Sequence, residues 1–220
     1  MIEVVHLCEA GIMPAIIGMR NSWESWDRMD TVKDKEGSDY KIGPEDLKLM
    51  RKLIKAGQPH RKFLRMMVVY LNVTAPLYWW KQFDTYKVGT VTNSTSTMHC
   101  ITKKEFELSD FSWENMSEEG IEALEKTIET LNNLRDIYLY GNDSGLKKGS
   151  PDIWYTIIQL LPSSYNQTRT VMLSYENLHS IKEWRSGHKL SEWRKFITAC
   201  EKRCLYMKEL FSEDEDQKNE

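Results

Sequence analysis

The sequence has little of what marks a membrane or secreted protein. No apolar run approaches the ~20 residues that a helix needs to span a bilayer. The first residues also lack the pattern of a secretory signal peptide. With only four cysteines in 220 residues, the sequence predicts reduced thiols, a cytoplasmic location and no contact with a membrane.

The familiar metal-binding and nucleotide-binding patterns are also missing. The five histidines are scattered, and none pairs with another at a metal-ligand spacing on a helix. The glycine spacings of a P-loop or a dinucleotide fingerprint are absent. Cys200 and Cys204 are one helical turn apart, but they share an apolar stripe with Trp193 and Phe196, which favours buried thiols over a metal site. The sequence therefore predicts no metal site and identifies no catalytic residue.

An excess of positive charge is absent too, since the net charge is −3. A protein dedicated to nucleic acid usually needs a basic excess to neutralise phosphates, so we predict no nucleic-acid partner. No linker-like change in composition interrupts the chain before its acidic end. We predict a single domain over residues 1–211 and a disordered acidic tail over residues 212–220.

The patterns that are present predict an α+β domain. Apolar runs predict strands over residues 1–9, 63–73 and 168–173, the second of them covered on both faces. Capping residues and apolar spacing predict helices from Gly43-Pro44 to Gly57, from Ser117 to Tyr140, from Ser150-Pro151 to Leu161, from Tyr175 to Trp184 and from Leu190 to Phe211, with a short helix over Leu77–Phe83.

The densest group of polar residues lies between Asp84 and His99. It combines Lys87 with one glycine, one imidazole and many small hydroxyl and amide groups. A phosphate is bound by donors that converge from several directions, and these groups can supply them. Threonine is also a good strand former, so a threonine-rich strand and turn explains the same composition. The residues alone leave both interpretations open.

Four segments occur in the order and spacing of one known family. Residues 56–65 occupy the place of a Gly- and His-rich stretch, and residues 76–84 contain the proline and the short helix with glutamine that follow it. Residues 93–98 match an Asn-Glu-x-Ser-x-Arg segment if one residue is inserted. Leu161-Pro162, Ser174 and Arg185 match the C-terminal spacing without gaps. Over residues 43–205 the chain thus resembles the flavin-dependent thymidylate synthases, the ThyX family.

The resemblance implies a central, mostly antiparallel sheet flanked by helices, an FAD cofactor, a dUMP-like pyrimidine nucleotide and a homotetramer. It also implies reductive methylation of the base or a related modification. The positions that correspond to cofactor contacts are His60, Arg65, Tyr86, Lys87, Ser174 and Ser180. The positions that correspond to substrate contacts are Gln82, Lys87, Asn93, Ser94, Ser96 and Arg185.

The chain departs from the family where the family binds flavin and phosphate. Thr85-Tyr86-Lys87 stands in place of Arg-His-Arg, and Ile158 and Met98 stand where further arginines are expected. Few groups reproduce the planar fork of a guanidinium on a phosphate. A second hypothesis therefore stands beside the enzyme: a non-catalytic or repurposed module that keeps the fold and binds a nucleotide or phosphate.

Overall fold

The computed structural model describes residues 1–34, 39–142 and 145–212. These residues divide into two compact units. The first unit comprises Met1–Glu3, Val73–Thr85 and Asn93–Arg169, and the second comprises Val4–Asn72, Tyr86–Thr92 and the described part of Thr170–Glu220. The prediction of a single domain stays a prediction. The predicted acidic tail lies outside the described residues, apart from Ser212.

The strands confirm the predicted α+β class with an antiparallel sheet. They are β1 (Glu3–Ala10), β2 (Val32–Lys33), β3 (Tyr40–Lys41), β4 (Val68–Pro76), β5 (Thr90–Ser94) and β6 (Asn166–Ser174). Four of them form a sheet of order β1-β4-β6-β5, and β2 pairs with β3. Thr168 of β6 sets part of the register, since its hydroxyl lies 2.8 Å from that of Thr74 and its carbonyl accepts the N–H of Thr95.

The α-helices of the described residues are α1 (Ile12–Arg20), α2 (Pro44–Lys55), α3 (Leu77–Phe83), α4 (Thr97–Cys100), α5 (Glu118–Tyr140), α6 (Pro151–Leu160), α7 (Tyr175–Arg185), α8 (Ser191–Arg203) and α9 (Met207–Phe211). Of these, α2, α3, α5, α6 and α7 lie close to predicted segments, α8 and α9 divide one predicted helix, and α1 and α4 lie outside the predicted helices. Short 3-10 turns occupy Asn21–Trp23, Trp26–Arg28, Lys62–Arg65 and Leu108–Asp110. No helix of the described residues combines the length and apolarity that a membrane crossing requires.

The core of the first unit follows the predicted amphipathic pattern of α5. Ser117 caps this helix by accepting a hydrogen bond from the N–H of Gly120 at 3.3 Å. Leu124 and Leu131 lie seven residues apart on its buried face, in a cluster that also contains Ile157 of α6. The two helices are thus held by apolar side chains at helical spacing.

The strand predicted over residues 63–73 is wrong in its extent and its covering. Phe63 and Leu64 are buried in a 3-10 turn, and β4 begins only at Val68. Along β4, burial alternates: Val69, Leu71 and Val73 are fully buried, while Tyr70 and Asn72 between them are half-buried. A continuous apolar run does not separate a buried turn from a strand, since both bury side chains at successive positions.

The helix predicted from Leu190 to Phe211 is interrupted after Arg203. At the break, the N–H of Leu205 donates to Glu9 at 2.7 Å and the N–H of Tyr206 donates to the hydroxyl of Tyr175 at 3.2 Å. These tertiary bonds replace the helical ones, which is why the helix ends there. Cys200 and Cys204 are buried, as predicted, and burial raises the pKa of the Cys200 thiol.

Glu9 links the stability of the second unit to pH. Its side chain is 3% exposed and accepts hydrogen bonds from Leu205 and Tyr175, with His6 Nε2 3.1 Å away. Burial outweighs these bonds and raises the pKa of Glu9. The folded protein therefore holds this proton more tightly than the unfolded chain does. Its contribution to stability is complete below the unfolded value of 4.5 and is lost as pH rises through the raised folded pKa.

We expect the variant Glu9→Gln to remove this part of the pH dependence. The free energy of unfolding, measured with urea between about pH 4 and 7, should fall less steeply with rising pH in the variant than in the natural chain. Glu3→Gln is the matched control, because Glu3 lies on the same strand and is exposed. Parallel pH profiles for Glu9→Gln and the natural chain would contradict the assignment.

Candidate functional site

In the second unit, the Arg185 side chain packs beside two aromatic rings that also contact each other. Its Nε donates to the hydroxyl of Tyr86 at 3.1 Å. The guanidinium carbon lies 4.9 Å from the ring centroid of Trp193 and 5.9 Å from that of Tyr86. Among the described residues, no hydrogen bond to its two Nη nitrogens is found. The side chain is thus a fixed cation whose Nη groups can bind an anion in the bidentate manner of arginine.

Lys87 follows Tyr86 directly and adds a second cation to this segment. Its side chain is exposed and forms no ion pair with the described residues. An ammonium group on a flexible stem donates in several directions and suits a phosphate as a point charge. The Thr85-Tyr86-Lys87 segment therefore contributes one cation itself, Lys87, and its tyrosine positions a second cation, Arg185.

Ser174 serves the backbone at the start of α7. It is 3% exposed, its hydroxyl accepts the N–H of Asn177 at 3.2 Å, and its own N–H donates to the carbonyl of Gly89 at 3.1 Å. The Asn177 amide donates in turn to the carbonyl of Val88 and to the hydroxyl of Thr90. These bonds fix the segment after Lys87 against α7. The Ser174 hydroxyl already caps this helix, so any hydrogen bond to a ligand would be additional to the capping bond.

Gly89 lies close to Ser174, which also holds the segment after Lys87 against α7. This glycine has a φ of +71°, in the left-handed region that side chains avoid, and an added Cβ would lie 3.2 Å from the Ser174 hydroxyl. The turn after Lys87 therefore depends on glycine for both its conformation and its spacing from Ser174.

Of the remaining predicted cofactor positions, His60 precedes the 3-10 turn Lys62–Arg65, Arg65 ends that turn, and Ser180 lies on α7. His60 and Arg65 are exposed and Ser180 is half-buried. Beside them, Arg61 Nε donates to a carboxylate oxygen of Glu176 at 3.1 Å, so the turn is fastened to the first turn of α7. Burial, and next the charge of Arg61, lower the pKa of His179 on the same helix.

The predicted substrate position Gln82 lies in the first unit. It is half-buried on α3, and its backbone carbonyl accepts the hydroxyl of Thr85 at 2.7 Å. The Thr85 hydroxyl is therefore engaged at the end of its own helix. At the position where the resemblance leads us to expect an arginine, this chain has Thr85, whose hydroxyl bonds to the end of α3.

Three further substrate positions of the first unit lie around the end of β5. Asn93 and Ser94 are exposed on the strand. Ser96 is half-buried, and its hydroxyl accepts the N–H of His99 at 3.2 Å as the cap of α4. The segment thus forms the strand and the capped turn of one interpretation, and the phosphate-binding interpretation stays a prediction.

Arg169 is an organising residue of the first unit that the sequence analysis missed. Its Nη1 donates to Asp84 at 2.7 Å, its Nε donates to the side chain of Gln167 at 3.0 Å, and its guanidinium carbon lies 4.4 Å from the ring centroid of Trp80. Gln167 and Arg169 are two apart on β6, so strand periodicity alone places them on one face. No sequence pattern indicates that Arg169 pairs with Asp84, because the two residues are 85 positions apart in the chain.

Within the three described ranges, no set of three or more His, Cys, Asp and Glu side chains is placed to hold an ion. The absence of a metal site stays a prediction.

Comparison with known proteins identifies the fold. No protein-family model matches the sequence, and no curated protein matches it. Two solved structures of thymidylate synthase X (ThyX) from Helicobacter pylori, both with FAD and dUMP, are 16% identical to this chain. Each alignment covers 96% of this chain and 98% of the other, with TM-scores of 0.68 and 0.66. The resemblance inferred from motif order is confirmed for the fold: this chain folds like the flavin-dependent thymidylate synthase ThyX.

Proposed function

We propose that this protein is a divergent relative of ThyX that binds FAD and a dUMP-like pyrimidine nucleotide for reductive methylation of the base or a related modification. The observation that carries the proposal is the shared fold, which extends over 96% of the chain to structures that contain FAD and dUMP. A fold alone supports many functions. The proposal therefore also rests on the side chains at the corresponding positions.

Those side chains fit an anionic dinucleotide. Lys87, Arg65 and His60 of the second unit are exposed and without an ion pair among the described residues. Arg185 keeps its Nη groups available within a rigid aromatic setting. The cations of Lys87, Arg65 and Arg185 are what the phosphates of FAD and dUMP require, and the His60 imidazole can donate a hydrogen bond to the same groups.

In this proposal the side chains of the protein bind the nucleotide and the flavin and orient them. Arg185 and Lys87 hold phosphate, while Gln82, Asn93 and Ser96 orient base, ribose or flavin through amide and hydroxyl groups. Tyr86 replaces an imidazole and holds Arg185 in place. FAD, when bound, supplies the hydride chemistry at the pyrimidine ring, and the protein supplies positioning and charge.

A repurposed nucleotide- or phosphate-binding module is the second candidate. It is favoured by the engagement of Tyr86, whose hydroxyl accepts from Arg185 and whose ring packs edge-on against Trp193 at 6.0 Å between centroids. Thr85 is likewise engaged, with the carbonyl of Gln82. Two of the three motif positions thus serve the protein's own structure. Such a module would bind the nucleotide and leave FAD unbound.

The proposal extends to assembly and location. The resemblance implies a homotetramer, so light scattering should give a mass near four times 25.9 kDa. A stable monomer would count against a site shared between subunits. A cytoplasmic location belongs to the same proposal.

Arg185→Ala is the variant that tests the proposed nucleotide site. We expect dUMP binding, measured by titration calorimetry, to weaken about 10- to 100-fold, because each charge-assisted hydrogen bond contributes ~1.5–3 kcal/mol. Lys87→Ala should weaken it less, about 3- to 10-fold, because an exposed ammonium is better screened by solvent. Lys189→Ala removes an exposed cation outside the proposed contacts and serves as control.

The visible spectrum separates the two candidates. The full chain is mixed with excess FAD, passed through gel filtration and examined for flavin absorbance in the protein fraction. Retained flavin together with dUMP binding supports the redox enzyme. A colourless protein that still binds dUMP through Arg185 supports the repurposed module. Nucleotide binding that is absent, or unchanged in the Arg185→Ala/Lys87→Ala double variant, contradicts both.

A further inference from the structure

The outer side of α8, in the second unit, carries positive charge along its whole length. Four exposed cations share this side, which we call the basic face: Arg194, Lys195, Lys202 and Arg203. An open groove of about 440 Å³, lined by residues of α8, runs along the face. Within the described part of the chain, no ion pair to any of the four is found. The charge of the basic face is therefore not compensated by the described residues.

The position of these cations in the helix explains only half of the charge. Lys202 and Arg203 lie in the last turn of α8, where the helix dipole favours cations. Arg194 and Lys195 lie near the start of the helix, where the dipole disfavours them. The whole chain has a net charge of −3, so the face is a local segregation of charge and does not reflect the composition. Its field favours an anionic segment.

The end of α9 lies close to the edge of the basic face. The carbonyl of Phe211 accepts a hydrogen bond from Lys182 Nζ at 2.7 Å, and the same Nζ lies 2.9 Å from a carboxylate oxygen of Glu201 on α8. Thr198 is three residues before Glu201, so the two are neighbours on the helix surface. Since Thr198 lines the groove, the chain leaves α9 beside that groove.

The segment that follows α9 has the complementary charge. Residues 213–216 are four consecutive acids, and they lie outside the described residues. The residue before them, Ser212, is anchored by Arg51, whose Nη2 donates to its hydroxyl at 3.2 Å. Four extended residues span ~13 Å, and a helix rises ~10 Å between Lys195 and Lys202. The acidic segment is therefore long enough to follow the cations of the face.

We propose that the acidic segment 213–216 binds the basic face of α8 in its own chain and so competes with other anions for that face. An exposed ion pair contributes little by itself. Several pairs act together here, however, and a tethered segment is present at a roughly millimolar effective concentration. The anchored Ser212 lowers the entropy that the segment loses on binding. The contact uses none of the positions assigned to FAD or to the pyrimidine nucleotide, so it goes beyond the proposed function.

Zero-length cross-linking of the full chain with a carbodiimide tests the contact, because this reagent joins a carboxylate to a lysine amine only where the two touch. We expect residues 213–216 to be linked to Lys195 or Lys202 at about 0.02 M salt. The yield should fall about threefold or more at about 0.5 M salt, where the Debye length is only ~4 Å. Lys48 and Lys52 are the internal controls, because they are also exposed and lie on α2.

The pattern of cross-links decides between the possible occupants of the face. Similar yields at the α2 lysines, or no link from residues 213–216 to α8, overturn the proposal. A mixture of ¹⁵N-labelled and unlabelled chains distinguishes a contact within one chain from a contact between two copies. Links that join labelled to unlabelled chains overturn the proposal in favour of a second copy as the source of the acidic segment.

Lysine acetylation provides a second measurement that leaves the α8 residues unchanged. In Asp214→Asn/Asp216→Asn, we expect Lys195 and Lys202 to react about twofold or more faster with acetic anhydride than in the natural chain, because the segment shields them while it is bound. The matched variant Glu122→Gln/Glu125→Gln removes the same charge from exposed positions of α5 and should leave both rates unchanged. Equal rates in the natural chain and in Asp214→Asn/Asp216→Asn would show that the face is open to an external anion, and would overturn the proposal.

Discussion

Replacing Asp46 with alanine is expected to lower the free energy of unfolding by about 3–5 kcal/mol, because it leaves a buried guanidinium without its counter-charge. Asp46 is fully buried, and its Oδ1 lies 2.7 Å from both Nε and Nη2 of Arg20. Its Oδ2 accepts the N–H groups of Asp30 and Thr31. One carboxylate therefore joins α2 to α1 and to the chain between them.

Chemical denaturation of the variant measures this loss. Glu45→Ala is the control, because Glu45 is the preceding residue, is exposed and contributes only the ~0.3–1 kcal/mol typical of an acid near a helix N-terminus. A loss at Asp46 no larger than the loss at Glu45 would show that the buried pair contributes little net stability.

The contribution of Asp46 to the free energy of unfolding depends on pH. Burial alone would raise the pKa of Asp46, but hydrogen bonds from Thr31, Arg20 and backbone N–H groups outweigh it and lower the pKa. Its contribution is then complete above the unfolded value of 3.8 and is lost as pH falls through the lower folded pKa. The variant Asp46→Asn should remove that part of the acid destabilisation.

Replacing Trp80 with alanine is expected to cost about 3–5 kcal/mol in the first unit, through the cavity it leaves and the contacts it removes. The side chain is fully buried, and its Nε1 donates to the carbonyl of Gln167 at 2.8 Å. Its ring packs edge-on against Phe83 at 5.2 Å between centroids and supports the Arg169 guanidinium. Loss of the ring also releases Arg169 from its position beside Asp84.

Thermal and urea unfolding of Trp80→Ala measure the loss in free energy of unfolding. The variant Trp80→Phe separates the contribution of packing from that of the hydrogen bond to Gln167. The phenyl ring fills most of the space but cannot donate to Gln167, so we expect a cost of roughly 1–3 kcal/mol. Trp184→Ala is the control of the same residue type, because Trp184 is 73% exposed and should change stability by less than about 0.5 kcal/mol. Equal costs at Trp80 and Trp184 would contradict the packing account.

The elements that the sequence predicted well are those with a strong local signal. Ser117 followed by acids, and apolar residues at helical spacing, define α5 almost to the residue. Cys200 and Cys204 belong to an apolar face and are buried. In these places the local preference and the tertiary packing agree, so the pattern is sufficient.

The elements that it missed depend on partners far along the chain. Nothing local ends α8 at Arg203, and the break is set by Glu9 and Tyr175, which take the N–H groups of Leu205 and Tyr206. A buried 3-10 turn and a strand likewise have the same apolar composition, so the start of β4 was placed too early.

For the candidate site, the order of motifs was enough to indicate the fold, and the assignment of Arg185 to the site stays a prediction. It could not indicate what else each side chain contacts. The Thr85 and Ser174 hydroxyls turn out to be engaged in capping bonds, and Arg169 becomes important only because the strand brings it to Asp84 and Trp80.

By itself, then, the sequence determined the fold class, most helices and the order of segments that resembles ThyX, because those properties are encoded in local periodicity and spacing. The tertiary structure decided which polar groups are already engaged and which remain available. Asp46 illustrates the difference, since by sequence it is an ordinary acid in the first turn of a helix. It becomes the buried partner of Arg20 only when residues 26 positions apart are brought together, because the electrostatic interaction of a side chain is set by its neighbours in space.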